Sequence, residues 1–190
     1  MTDGPPTAAE LDAALGDQDV TQLRVITLAL MGGVVAFTVL AVVFAAGQDA
    51  VDPGLRAESP LLPILSIVHA GLFVGCLAAR RFVGPAILRG RLPTRPPARI
   101  HGQGRAPADA DAAGRAVQRL KGAHLTGLAL LEGPALFGLT ILVVAASQNA
   151  LAAQPLYALN VFSTVVFLVL ATLHFPSRER LLDQLVAATR

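Results

Sequence analysis

The chain has 190 residues, 54% of them apolar, a formal net charge of +2 and a mean hydropathy of +0.60. Such a composition excludes an ordinary soluble domain and points to the membrane class. Its single cysteine, Cys76, excludes an intramolecular disulfide and a thiolate metal cage. Fourteen arginines against one lysine, with heavy Ala, Gly and Pro usage, suggest a bacterial genome rich in G and C.

Residues 1–21 are read as a cytoplasmic N-terminal segment with a short helix. Asp3, Glu10, Asp12, Asp17 and Asp19 occur there with no basic residue, whereas a signal peptide opens on a basic region. The first apolar stretch is therefore expected to stay as an anchor. Thr7 and Glu10 have capping-box spacing, which predicts a helix over 7–20. Residues 22–82 form a first transmembrane hairpin with spans at 25–46 and 61–79. About 20 helical residues cross a ~30 Å hydrocarbon core. Strands facing lipid would leave backbone groups unsatisfied, so the spans are helices. Residues 83–121 are an Arg/Pro-rich cytoplasmic loop, extended and mobile at its start and helical where it runs into the third span. Residues 122–175 form a second hairpin, with spans at 125–146 and 156–173. Residues 176–190 are a cytoplasmic amphipathic tail with Leu181, Leu182, Leu185 and Val186 on one side, expected to lie on the inner membrane face. The predicted fold class is an all-α membrane protein, four transmembrane helices in two parallel-repeat hairpins.

Charge sets the orientation. Ten basic residues lie between Arg80 and Lys121, whereas the first outer link has Arg56 alone beside Asp49, Asp52 and Glu58, and the second has no charge. The positive-inside rule then puts the central loop and both termini in the cytoplasm. The expected location is the inner membrane, multi-pass, with anionic lipid headgroups as partners of the arginine-rich loop. A nucleic-acid partner is not expected, because no aromatic residues interleave the basic ones. GQGRAP lacks the Gly-Lys-Ser/Thr ending of a phosphate loop.

Residues 27–50 and 127–150 are two copies of one segment. TLALMGGVVAFTVLAVVFAAGQDA aligns without a gap on GLALLEGPALFGLTILVVAASQNA, with identities that include Gly33/Gly133, Phe37/Phe137 and Gln48/Gln148. The polar exits match as well as the apolar runs. Because both copies run in the same direction, the hairpins are expected to superpose by rotation about the membrane normal. The copies part sharply at Gly32, which becomes Glu132.

Glu132 falls about two turns, or ~11 Å, inside the third span. A charged carboxylate at such depth costs at least ~2.5 kcal/mol, so it is neutral, paired or wet. The candidate partner is His69, whose depth differs by only ~7 Å at the helical rise. Asn160, Ser163 and Thr164 sit at depths similar to His69, and Thr38 and Thr140 could join one polar seam. Pro134 removes the amide partner of the Leu130 carbonyl. Glu132, His69 and Asn160 are the candidate proton- or cation-binding residues, set against a structural role in which a neutral Glu132 is hydrogen-bonded and His69 ties helices together. Cys76 reads as a small packing residue. His124 and His174 are read as snorkelling residues near the inner interface. No catalytic residue, metal site or cofactor is read from the chain.

ALLEGPALFGL in the third span and HFPSRER after the fourth resemble an uncharacterised bacterial family of four-helix integral membrane proteins with an L-x-E-G-type third helix. That resemblance implies the fold and carries no activity. Glu132, Phe137, Gly138 and Leu139 also resemble the ion-binding helix of rotary ATP synthase proteolipid subunits, which implies a proton- or cation-binding carboxylate at Glu132. The proteolipid acid lies on the second helix of its hairpin and Glu132 on the first, so the rotor function is not carried over. The expected function is that of a non-enzymatic assembly or accessory protein, associating with itself or a partner. The alternative is a small proton- or cation-binding transport subunit.

Overall fold

A computed structural model describes residues 5–47, 60–92 and 112–189. Among them there is no strand. The helices are α1 (Ala8–Ala14), α2 (Asp17–Ala46), α3 (Leu61–Leu88), α4 (Ala112–Ser147), α5 (Ala150–Ala153), α6 (Phe162–Leu173) and α7 (Arg178–Thr189), with a 3₁₀ segment, Pro155–Val161, leading into α6. Four stretches are long and apolar enough to cross a membrane: α2, α3, α4 and Pro155–Leu173. The protein is an all-α, multi-pass membrane protein. The fourth stretch has 19 residues. Its 3₁₀ part rises about 2.0 Å per residue against 1.5 Å for α-helix, which gives a reach of about 32 Å.

The chain forms two compact units. One, here the charged unit, comprises the described parts of 1–26, 80–127 and 175–190; the other, the apolar unit, comprises those of 27–79 and 128–174. α2 and α4 each begin in the charged unit and end in the apolar one, and α3 runs the other way. Every described lysine and arginine belongs to the charged unit, and Glu132 is the one described acid of the apolar unit.

The charged unit is a packed domain in its own right. α1 starts as its sequence predicts. The Thr7 hydroxyl accepts from the Glu10 amide, and the Glu10 carboxylate accepts from the Thr7 amide at 2.7 Å. Leu11 and Leu15 of α1, Val20 and Leu23 of α2, Val117 and Leu120 of α4, and Leu181 and Leu185 of α7 share one buried cluster. This corrects the expectation for the tail: its apolar stripe is covered by protein rather than laid on a membrane face. An amphipathic helix has the same stripe in either setting, so the partner, not the pattern, differs. The acids of the N-terminal segment also find cations. Lys121 pairs with Asp19, while Arg178 reaches Asp12 at 2.9 Å and Asp17 at 2.6 Å. The hydrogen bond to Asp12, then its charge, raises the Arg178 guanidinium above its ordinary range. The Arg24 guanidinium donates to the Pro176 carbonyl at 2.9 Å.

One boundary moves. α3 continues through Pro85 to Leu88, beyond the predicted loop start at 83. It stops at Gly90, where φ is +69°. There the Arg91 amide donates to Ala86 and the Gly90 amide to Ile87, each at 2.9 Å, the paired bonds of a Schellman C-cap. At the other end of the loop α4 is already helical at Ala112 and continues unbroken to Ser147, as the reading of a helix running into the third span requires. The stretch expected to be extended and mobile lies mostly at 93–111, outside the described residues.

In the apolar unit α4 takes part in both buried clusters. Leu131, Ala135 and Leu139 of α4 pack with Val34 and Ala41 of α2 and with Phe167 and Ala171 of α6. Ile141 and Ala145 of α4 pack with Leu62 of α3 and with Tyr157. α2, the sequence counterpart of α4, buries far less: Val39, Leu40, Val42 and Val43 are each more than half exposed. So much exposed aliphatic surface is untenable in water and ordinary against lipid.

Candidate functional site

Among the described residues, the apolar unit encloses a polar cluster. His69 of α3, Asn160 of the 3₁₀ segment, and Ser163 and Thr164 of α6 are all buried. His69 Nδ1 lies 2.8 Å from Asn160 Oδ1. The Asn160 amide group donates to Ser66 Oγ at 3.0 Å and to the Tyr157 carbonyl at 2.9 Å, which turns its oxygen towards the imidazole and makes Nδ1 the donor. His69 Nε2 lies 3.0 Å from both the Pro134 carbonyl and Ser163 Oγ. Ser163 also donates towards the Pro134 carbonyl at 3.1 Å, and Thr164 donates to the Ala135 carbonyl at 3.2 Å. Phe73 and Phe137 flank the imidazole, with ring centroids at 6.5 and 5.9 Å. Each neutral tautomer of imidazole has one donor and one acceptor nitrogen, and the cation has two donors. Nδ1 therefore meets the Asn160 oxygen, and Nε2 faces the Pro134 carbonyl and the Ser163 hydroxyl.

Gly138 makes this cluster possible. A Cβ there would overlap the Asn160 carbonyl oxygen and stand 2.9 Å from His69 Cε1 and Nε2. The missing side chain opens α4 one turn after Pro134, so that the imidazole reaches the Pro134 carbonyl. In the first copy the matching positions are Val34 and Thr38, and the Thr38 hydroxyl bonds back to the Val34 carbonyl at 2.7 Å. The polar site therefore falls where the two copies diverge.

Of the three candidate residues, His69 and Asn160 meet, and Glu132 stands apart. It is half-buried on α4, and among the described residues its carboxyl makes no hydrogen bond to His69 or to any other group. Glu132 precedes Gly138 by six residues, which at ~100° per residue turns it about 120° away from the face that meets His69. Similar depth therefore does not bring the two together. Thr38 and Thr140 do not join the seam either. Each hydroxyl returns to the carbonyl four residues back on its own helix, the usual resort of a threonine inside a helix. His174 likewise bonds the Leu170 carbonyl at 2.9 Å. Cys76 is a half-buried free thiol on α3.

The contacts Ser163–His69–Asn160 follow the order of a nucleophile–base–orienter relay. Ser163 is 1% exposed, and its proton is directed at backbone carbonyls. The cluster's chemistry is that of interhelical hydrogen bonding: it joins α3, α4 and α6 where an unpartnered polar group would be costly.

On the opposite side of α3, Gly71 and Gly75 are exposed, with nothing within 4 Å of a Cβ at either. Ile64, Val68 and Ala78 continue the same stripe. Gly71-x-x-x-Gly75 is a spacing that lets one membrane helix approach another closely. No family model, curated protein or solved structure matches this chain.

Proposed function

We propose that the protein is a non-enzymatic membrane protein that assembles with further copies of itself through α3, holding its charged unit at the cytoplasmic face of the inner membrane. The observation that carries this reading is the exposed Gly71–Gly75 stripe. Small residues gain nothing against lipid tails and much from a helix backbone at close range. A second copy is the simplest occupant, since every chain carries the same face and a two-fold axis makes it self-complementary. Support for the orientation comes from charge, since all described Lys and Arg are in one unit and the positive-inside rule assigns that side to the cytoplasm. Cross-linking in native membranes tests the assembly. With Cys76 replaced, Val68→Cys should form a disulfide-linked dimer under oxidation, and Val39→Cys on α2 should not. Equal yields at the two positions would remove the α3 interface from the account.

A second reading has its own observation. Glu132 is half-buried in an apolar span with no hydrogen-bond partner among the described residues, and His69 has an acceptor at each ring nitrogen. Both features suit a proton- or cation-binding subunit. Proteoliposomes separate the two functions. Proton flux that disappears in Glu132→Gln or His69→Gln favours transport, whereas no flux from the wild type favours assembly.

A further inference from the structure

We propose that the charged unit contains a binding pocket for a phosphate group, held by Arg89 and Arg119. A cavity of about 190 Å³ opens there, lined by Leu88, Ala116 and Leu185 together with the two arginines. Lys121 and Arg178 in the same unit are tied to aspartates. Arg89 and Arg119 have no carboxylate partner among the described residues. The Arg119 guanidinium lies over Gly90, so close that a Cβ there would be 2.8 Å from Cζ and 3.0 Å from each Nη. Gly90 closes α3, where the end of the helix favours a cation. Arg89 is exposed at the rim and can swing onto a ligand.

Size and donor geometry narrow the ligand. At about 30 Å³ per water, the cavity has room for about six waters, well below the 300–1,000 Å³ of sites for drug-sized molecules. Guanidinium presents planar, forked N–H donors that match phosphate oxygens in pairs. The Thr189 hydroxyl at the cavity already donates to the Leu185 and Val186 carbonyls, so the arginines are the free donors. The apolar lining residues Leu88, Ala116 and Leu185 suit the ester part of a phosphodiester. A lipid headgroup and free inorganic phosphate share this chemistry.

Native mass spectrometry of the full chain, delipidated in detergent, tests the pocket. The probes are inorganic phosphate, phosphatidylglycerol and diacylglycerol, the last as the lipid without phosphate. The wild type should retain one equivalent of phosphatidylglycerol or of inorganic phosphate. R89Q/R119Q should bind it at least tenfold more weakly, and R81Q/R91Q, with the same loss of charge outside the pocket, should bind as the wild type does. Retention of phosphatidylglycerol alone identifies a lipid source, and displacement of it by inorganic phosphate identifies the phosphate itself as sufficient. R89K/R119K keeps the charge and should fold, yet bind more weakly than the wild type for want of the fork. No retention by the wild type, equal retention of diacylglycerol, or equal loss in both glutamine variants would overturn the proposal.

Discussion

Gly138→Ala adds one methyl group at the point where α4 is most closely approached. The new Cβ would overlap the Asn160 carbonyl oxygen and stand 2.9 Å from two atoms of the His69 ring. Ordinary van der Waals contact starts at 3.4 Å, so the ring must retreat by about 0.5 Å, the difference between 2.9 and 3.4 Å, and the Asn160 backbone by more. Hydrogen bonds of 2.8 and 3.0 Å around His69 stretched by that much leave the useful range. Overpacking alone costs about 1–3 kcal/mol, and each weakened hydrogen bond adds about 1 kcal/mol. The expected loss is about 3 kcal/mol or more, read by unfolding in mild detergent followed by circular dichroism. Gly133→Ala is the matched control: nothing lies within 4 Å of its Cβ, and alanine is the better helix former by up to about 1 kcal/mol. If Gly138→Ala proves as stable as Gly133→Ala, the packed His69–Asn160 seam is refuted.

Leu185→Ala should destabilise the charged unit by about 2–5 kcal/mol, since Leu185 is 1% exposed; tryptic cleavage that releases α7 early in this variant is the check, and an unchanged digestion pattern would contradict the burial of the tail. Arg178→Ala should loosen α7 from α1, and hydrogen exchange in α7 should rise. The partners of Arg178 raise its pKa, so the stabilisation they provide is complete below the unfolded pKa and is lost only as pH rises through the folded one. It should therefore be flat from about pH 6 to about pH 9, because an arginine titrates far above that window, and should weaken instead with added salt. A fluorophosphonate probe should leave Ser163 unlabelled in membranes, and labelling that depends on His69 would show an enzyme where a structural cluster is proposed.

The residues differ in how much of this they reveal. Four apolar runs and the Thr7–Glu10 pair suffice for the spans and the first cap, because length against bilayer thickness and reciprocal capping are local properties. α4 is legible as one long helix, since Pro134 interrupts only one hydrogen bond and its neighbours fill the face around it. The partner of the tail is not legible, because Leu181 and Leu185 make the same stripe for lipid or for protein. His69 and Asn160 can be picked out by depth. The pairing of Glu132 with His69 fails because depth ignores the rotation of a residue about its helix. Gly138 has a readable signal, a glycine one turn after a proline and a place where the duplicated copies differ. Gly71-x-x-x-Gly75 is readable as spacing, yet only its exposure on α3 separates an outer face from an inner one.

Self-assembly through α3 is the central claim, and particle mass in lipid nanodiscs cut directly from membranes tests it most directly. The chain weighs 19.7 kDa. The account predicts a protein mass of two or more whole chains for the wild type, falling to a single chain in Gly75→Leu, whose side chain would hold two α3 helices apart. A wild-type particle of one chain, or a Gly75→Leu particle with the multiple unchanged, would contradict it.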